Sequence, residues 1–509
     1  MPETARPGPG ERAGPAARPA HAAGPSQLAD RHLGAVVTAV SLLVGVVAAR
    51  LRLVNTEFSG DEPHYLLFNV ALQKHHSLDV IPVYQNREYA SFYHGVLEPH
   101  VVTAPGGPAA LHGFGGPLLW HVPYLLAGPW GAVLFVAVVS ALTVLNIFLF
   151  LRERGITRHY ATLVALLFAL GSPLFVYSSM LFVEPIAALA TIYAVRVALD
   201  PRRIAARPIS TRRARARLVV ASAAVAYLPW VHGRFLLLTL PLLALLAWRV
   251  HRMVGRRPGW LVLCWAVPAA LLVVGYLSYN AVVWHSLNPA PANAARGEGL
   301  FETPVLDGFA GLTLDRTYGL VPNFPIFVMV IPGVVLALRR ASRGVNLALG
   351  LVIAPTLLAL STYGQWWAGH SAPARFLVAI APLFSYYVAV FLQRLHHWLA
   401  DTVAITLALA AFLLGLVGDL VSGLKFHSSP GANEAMRYLS ERCGVSPRWQ
   451  LLLPSLGSTG DRALLEYWLL GLVGGGIAVG LLVAARQRTK ARSARGRASP
   501  DRGHAEAVQ

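Results

Sequence analysis

The stretch "EFSGDEPHYLLFNVALQKHH" (57–76) puts Asp61, Glu62, His64 and Tyr65 within five residues, directly after an apolar run. A carboxylate at such a place can take the proton from a hydroxyl as that hydroxyl attacks an electrophile. Asp61 can also serve as an N-cap, with Pro63 in the first turn of the following helix. Two adjacent carboxylates and a histidine exceed what a cap needs. A second acidic candidate is Glu184 in "SSMLFVEPIAAL", at the start of an apolar run and directly before Pro185. A carboxylate at membrane depth is costly and marks a site by default. The plainer reading is a carboxylate complementing a helix N-terminus. Cationic candidates follow in "LPWVHGRF" (His232, Arg234), "LDRTYGL" (Asp315, Arg316) and "QWWAGHSAPARFL" (Trp366, Trp367, His370, Arg375). The arginine fork suits phosphate oxygens. We rank Arg375 first, then Arg234 and Arg316. Arg316 has a rival use as the partner of Asp315, and the aromatic residues have one as interfacial belt residues. His112 and Lys74 are weaker candidates.

These residues need elements to hold them, and composition says which. The chain has 509 residues, 55% of them hydrophobic and 13% charged. That charge fraction is about half the ~25% of an ordinary soluble domain. Apolar runs near the ~20 residues that cross hydrocarbon recur along the chain. We expect an all-α polytopic membrane protein of about twelve spans, near 33–53, 130–151, 160–178, 181–199, 217–230, 234–249, 260–284, 324–338, 346–363, 375–393, 402–420 and 466–485. The net charge of +19 comes largely from Arg-rich blocks at 202–217, 249–257, 339–343 and 486–502. Blocks beside spans follow the positive-inside rule rather than nucleic-acid binding, and anionic lipid headgroups are natural neighbours for them. This orientation predicts both termini in the cytoplasm of a cytoplasmic (plasma) membrane protein. The outer connections are then 55–115, the turn near Met180, 230–234, 285–323, 364–375 and 421–465. The candidate residues fall on or near them, so the site is expected to face outward. Residues 1–31 and 486–509 lack the apolar content for a core and are expected to be disordered. The span-bearing domain is 32–485. Cys264 and Cys443 make neither a disulfide framework nor a paired metal spacing.

The segment "FSGDEPHYLLFNVALQKHHSLDV", with "HGFGGPLLWHVPYLLAG" leading into the next span, resembles the first outer loop of GT-C-fold glycosyltransferases. The resemblance is closest to their protein-mannosyltransferase and aminoarabinose-transferase branch. The sharp motif covers 58–80 only; the general layout covers most of the chain. The resemblance implies transfer of a sugar from a polyprenyl-phosphate carrier to a lipid, glycan or protein acceptor, with inversion. It places the base on Asp61 and phosphate contacts around His112. Glu184 departs from the branch's usual Asp with one residue before Pro, and acceptor positioning is the role it suggests here. Glu62 joins the catalytic candidates. His64, Tyr65, Trp366, Trp367 and His370 are candidates for lining the substrate. No Asp-x-Asp pair appears; a divalent cation through Asp61, Glu62 and a histidine is left open. No cofactor is otherwise expected, and no nucleotide-binding Gly-rich loop appears. The competing readings are a transporter or flippase of a lipid-linked or anionic solute, and a polymerase or ligase using a lipid-linked glycan. Charges clustered on one face and the lack of two similar halves weigh against transport.

Overall fold

The computed structural model describes residues 25–200, 212–254, 259–288, 290–297, 299, 301–338, 342–456 and 462–497. The expected spans become helices wherever an apolar run is long enough. In chain order they begin with α1 (Pro25–Asn55), α2 (Glu62–His75), α3 (Ile81–Gln85), α4 (Gly115–Glu153), α5 (Arg158–Gly171), α6 (Pro173–Ser178) and α7 (Glu184–Ala198). Next come α8 (Arg212–Val231), α9 (Leu236–Val254), α10 (Gly259–Val283), α11 (Pro291–Ala295), α12 (Val305–Leu314) and α13 (Leu320–Asn323). The last are α14 (Val330–Ala337), α15 (Arg343–Ser361), α16 (Ala381–Leu395), α17 (Trp398–Leu420), α18 (Glu434–Arg442) and α19 (Arg462–Arg497).

Eight of these are long and apolar enough to cross a membrane. Four expected spans, α5, α7, α14 and α16, are shorter, at 14, 15, 8 and 15 residues. They are interrupted where the sequence carries Pro or a buried charge: α14 follows a 3-10 turn at Pro325–Met329, and α16 follows one at Arg375–Leu377. The run 115–151 is a single 39-residue helix, α4, bent at Ala127 and Gly128 and carrying Pro123 and Pro129. The expected disordered ends fall partly outside the described residues. Among described residues, α1 begins at Pro25 and α19 stays helical to Arg497.

The exposed faces are those of a protein in hydrocarbon. On α1, Val36, Leu43, Val47 and Val54 are all exposed, and their spacing puts them on one helical stripe. The other face of α1 packs on α4, and α4 packs on α7. The ionic groups of the far end form their own cluster: Asp30 at the start of α1 accepts from Arg152 and Arg158, and Arg196 pairs with Glu153. Arg52 lies some 33 Å further along α1 at a helical rise of ~1.5 Å per residue. The candidate residues collect at that opposite end.

The strands among the described residues form a hairpin in the first loop. β1 (Val101–Ala104) and β2 (Gly107–Ala110) pair antiparallel, Val101 opposite Ala110 and Ala104 opposite Gly107. Its tip docks on the end of α10, where Gly106 donates its N–H to the Val283 carbonyl at 3.2 Å. A Cβ at Gly106 would come within 2.6 Å of that carbonyl oxygen.

Candidate active site

Gly60 makes the turn from α1 into α2 with φ +60°, a region closed to most side chains. A Cβ there would also come within 2.6 Å of the His370 carbonyl. The turn presents Asp61 and Glu62 in different directions. Asp61 sits at the N-cap of α2, yet its side chain makes no capping hydrogen bond. It forgoes a contact worth ~1 kcal/mol. Its carboxylate instead pairs with the Arg375 guanidinium, 314 residues later.

Arg375 is the hub. Its Nε donates to Glu184 Oε1 at 2.6 Å, and its remaining nitrogens reach Asp61 and the Ala368 carbonyl. Glu184 also pairs with Arg234. The result is an alternating row, Asp61–Arg375–Glu184–Arg234, drawn from four distant segments. Phe182 lies 4.5 Å from the Arg375 guanidinium, and Phe376 lies 4.7 Å from that of Arg234. Arg375 is held by a strained loop: Ala368 and Ala374, both ahead of it in the chain, have φ of +70° and +56°. Non-glycine residues hold such angles at a cost of roughly 1 kcal/mol or more each, which packing must offset. Part of the offset is visible, since Ala374 donates its N–H to the Tyr318 carbonyl at 2.9 Å.

This row borders a cavity of about 740 Å³. Its polar wall includes Asp61, His112, His232, Arg234, His370 and Arg375; its apolar wall includes Leu236, Leu237, Leu360 and Phe376. His100 and Arg296 also reach it. Burial pushes the Asp61 carboxyl up, but the charges of Arg375 and then His112 outweigh that, and it is held well below the usual carboxylate range. Burial lowers His112 to about 4, against the pull of Asp61. His232 is likewise driven well below its ordinary value by burial and by Arg234. At neutral pH the histidines are therefore uncharged donors or acceptors, and positive charge on the wall comes from arginine.

Several expected residues lie elsewhere. Glu62 is fully buried and turned away from the cavity. It accepts from Arg52 Nη1 at 2.7 Å, the Leu181 N–H at 2.7 Å and the Ser59 N–H at 3.0 Å. It anchors the turn rather than lining the cavity, and the group of candidate metal ligands found among the described residues includes neither Asp61 nor Glu62. Glu184 lies behind the wall, where it holds two guanidiniums in place. Arg316 does not line the cavity: it donates to the Gln450 carbonyl at 3.3 Å, and its backbone N–H reaches the Pro454 carbonyl. Its neighbour Asp315 accepts from the Thr317, Tyr318 and Leu456 N–H groups, so this pair of residues staples the 450–456 segment. Trp366 is buried against Tyr318 and Gly311, and neither it nor Trp367 is among the lining residues. Tyr65 is buried against Trp120, with a hydroxyl that has no partner among described residues. His64 is buried behind the wall, stacked on His100 at 3.6 Å. His370 does line the cavity, braced by Ser59 at 3.0 Å and Ser428 at 2.8 Å. Lys74 lies at the other end of α2, 3.7 Å from Glu88.

Sequence reasoning missed Arg52, His100 and Arg296. Arg52 reads as the polar end of a span. His100 and Arg296 sit in loops without periodicity, and only the hairpin and the short helix α11, which Arg296 follows directly, bring them to the cavity.

No protein-family model matches the chain, and no curated protein matches it. Among solved structures it is similar to ArnT from Cupriavidus metallidurans bound to undecaprenyl phosphate, at 17% identity over 91% of this chain and 77% of that one, with a TM-score of 0.47. The apo state of that protein gives 16%, 90%, 76% and 0.48. The archaeal oligosaccharyltransferase AglB from Archaeoglobus fulgidus, in complex with an inhibitory peptide and a dolichol-phosphate, gives 14%, 81%, 58% and 0.44. At identities and scores this low, roles for residues have to come from the chain's own geometry.

Proposed function

We propose that the protein is an inverting glycosyltransferase that moves a sugar from a polyprenyl-phosphate carrier to an acceptor hydroxyl at the outer face of the cytoplasmic membrane. The observation that carries this reading is the Asp61 carboxylate. It leaves its helix cap and lies on the wall of a cavity that is apolar on one side and arginine-bearing on the other. Such a cavity suits an amphiphile with an anionic headgroup. An alcohol acceptor then needs one base, and a lipid phosphate leaving group needs cations rather than a proton donor.

The step balances simply. The acceptor oxygen bonds to the anomeric carbon from the face opposite the phosphate. The bond from that carbon to the phosphate oxygen breaks, and its electron pair leaves with the lipid phosphate. The hydroxyl proton passes to Asp61. Arg234 meets the phosphate first, since its side chain is 15% exposed against 5% for Arg375. Arg375 is held by both Asp61 and Glu184 before donor binds. A phosphate that draws the Arg375 guanidinium away leaves Asp61 more basic, so donor binding readies the base. Glu184 keeps its hold on Arg234 and on Nε of Arg375 while the other end of that guanidinium leaves Asp61.

The test is incubation of the purified chain with a panel of polyprenyl-phosphate sugars and simple acceptor alcohols, reading released lipid phosphate and the anomeric configuration of the product. Release with at least one donor, and inverted product, is expected. Passage of label across vesicles without bond cleavage for every donor would contradict the reading in favour of a transporter.

A further inference from the structure

Three histidines of the first loop form a cluster that the transfer step leaves unused. They come from separate segments: His64 from the first turn of α2, His100 from just before β1, and His112 from just after β2. The hairpin sets the last two side by side, with the Leu111 N–H donating to the His100 carbonyl at 2.9 Å. His100 Nδ1 and His112 Nε2 are 2.9 Å apart. The His64 ring stacks on His100 at 3.6 Å and lies 5.4 Å from His112. One ligand nitrogen from each of the three lies within 4.8 Å of the others. His64 Nδ1 is 2.6 Å from the Tyr84 hydroxyl. That contact leaves His64 Nε2 without a hydrogen-bond partner among described residues, and His112 Nδ1 is in the same condition.

We infer that His64, His100 and His112 bind one divalent transition-metal ion of the zinc class, with its open coordination position toward the Asp61 side of the cavity. Three imidazoles plus an open position make a donor set that zinc accepts, whereas magnesium and calcium want oxygen. Tetrahedral bonds of ~2.0–2.1 Å put ligand nitrogens about 3.3 Å apart. Small side-chain rotations therefore have to bring the three nitrogens to that spacing, parting the His100 and His112 nitrogens from 2.9 Å and exchanging their hydrogen bond for two metal bonds. A ligating imidazole commonly gives its other N–H to an oxygen, and Tyr84 supplies that oxygen for His64. A part for the ion in holding the donor phosphate rests on the reading given under Proposed function; binding of the ion does not.

The test uses full-length protein in detergent, stripped with a chelator, reloaded with Zn²⁺ and desalted, with bound zinc measured directly and Co²⁺ absorption reporting the geometry. One equivalent of zinc and a tetrahedral cobalt spectrum are expected. His100→Ala and His112→Ala should each weaken zinc at least about tenfold, and Tyr84→Phe by about 10–100-fold. His112→Gln, monodisperse by size exclusion, guards against a folding artefact. Wild-type protein that retains no zinc, or variants that retain as much as wild type, would overturn the site and show a cluster satisfied by stacking and hydrogen bonds alone. No sugar donor enters this measurement, so it can fail while glycosyl transfer stands, and the reverse.

Discussion

Asp61 and Glu62 are adjacent and chemically alike, yet they have opposite fates. Both were legible in the sequence as candidate acids, and what separates them was not. Arg52, ten residues earlier, is buried and captures Glu62 together with two backbone N–H groups. Removing one partner of a buried pair costs about 3–5 kcal/mol. Glu62→Gln is therefore expected to lower the thermal midpoint sharply in detergent, while the protein that still folds keeps its turnover. Unchanged stability with lost turnover would move Glu62 back among the catalytic groups. The arginines divide in the same way. Arg234 borders the cavity, and Arg316 braces a loop. A hydrogen bond to a charged group is worth ~1.5–3 kcal/mol, or roughly 10–150-fold in binding. Arg234→Gln should raise the KM for donor by that order, and Arg316→Gln should leave it within about twofold. Equal effects on KM would refute the division.

At the scale of elements, Gly60 carries the most consequence per atom. Ala at φ +60° is strained, and its Cβ would strike the His370 carbonyl. Gly60→Ala is expected to cost ~1–3 kcal/mol of stability and to lower turnover by displacing Asp61. Calorimetry and an assay on the same preparation check both, and an Ala variant with wild-type values would show that the turn tolerates a different path. The apolar runs that make α1, α4, α8, α9, α10, α15, α17 and α19 were readable because hydrocarbon demands long uninterrupted helices. The bend in α4 was readable from Pro and Gly in "WHVPYLLAGPW". The breaks that shorten α5, α7, α14 and α16 were not readable, because an apolar run looks alike whether one helix or several shorter pieces carry it. The hairpin at 101–110 was not readable: "VVTAPGGPAA" has little alternation, and its geometry is set by docking on α10. His100 and the three-histidine cluster went unseen with it.

Among the described residues, loops from distant parts of the chain meet at one end of the helical bundle. The last of them joins through a two-way backbone bridge between Ser371 and His427, and through Lys425 Nζ, which donates to Ser179 Oγ at 2.6 Å. His427 is buried, and burial with the neighbouring His370 lowers it to about 4. An unfolded histidine titrates near ~6.5. Between these values the unfolded chain holds the extra proton, so folding stability falls as pH drops from 6.5 toward 4, at ~1.4 kcal/mol per unit for this residue. Unfolding free energies at pH 7 and pH 5 should therefore differ, and His427→Gln should shrink the gap by about 2 kcal/mol. An identical gap in the variant would show that His427 does not feel its burial.

The central claim is that a single carboxylate on the cavity wall removes the acceptor proton. It is tested most directly by single-turnover release of lipid phosphate from a polyprenyl-phosphate sugar by Asp61→Asn, with donor binding measured on the same preparation. Release slower by ~10²–10⁴-fold, with donor still bound, is the predicted result. Release at the wild-type rate would contradict the account.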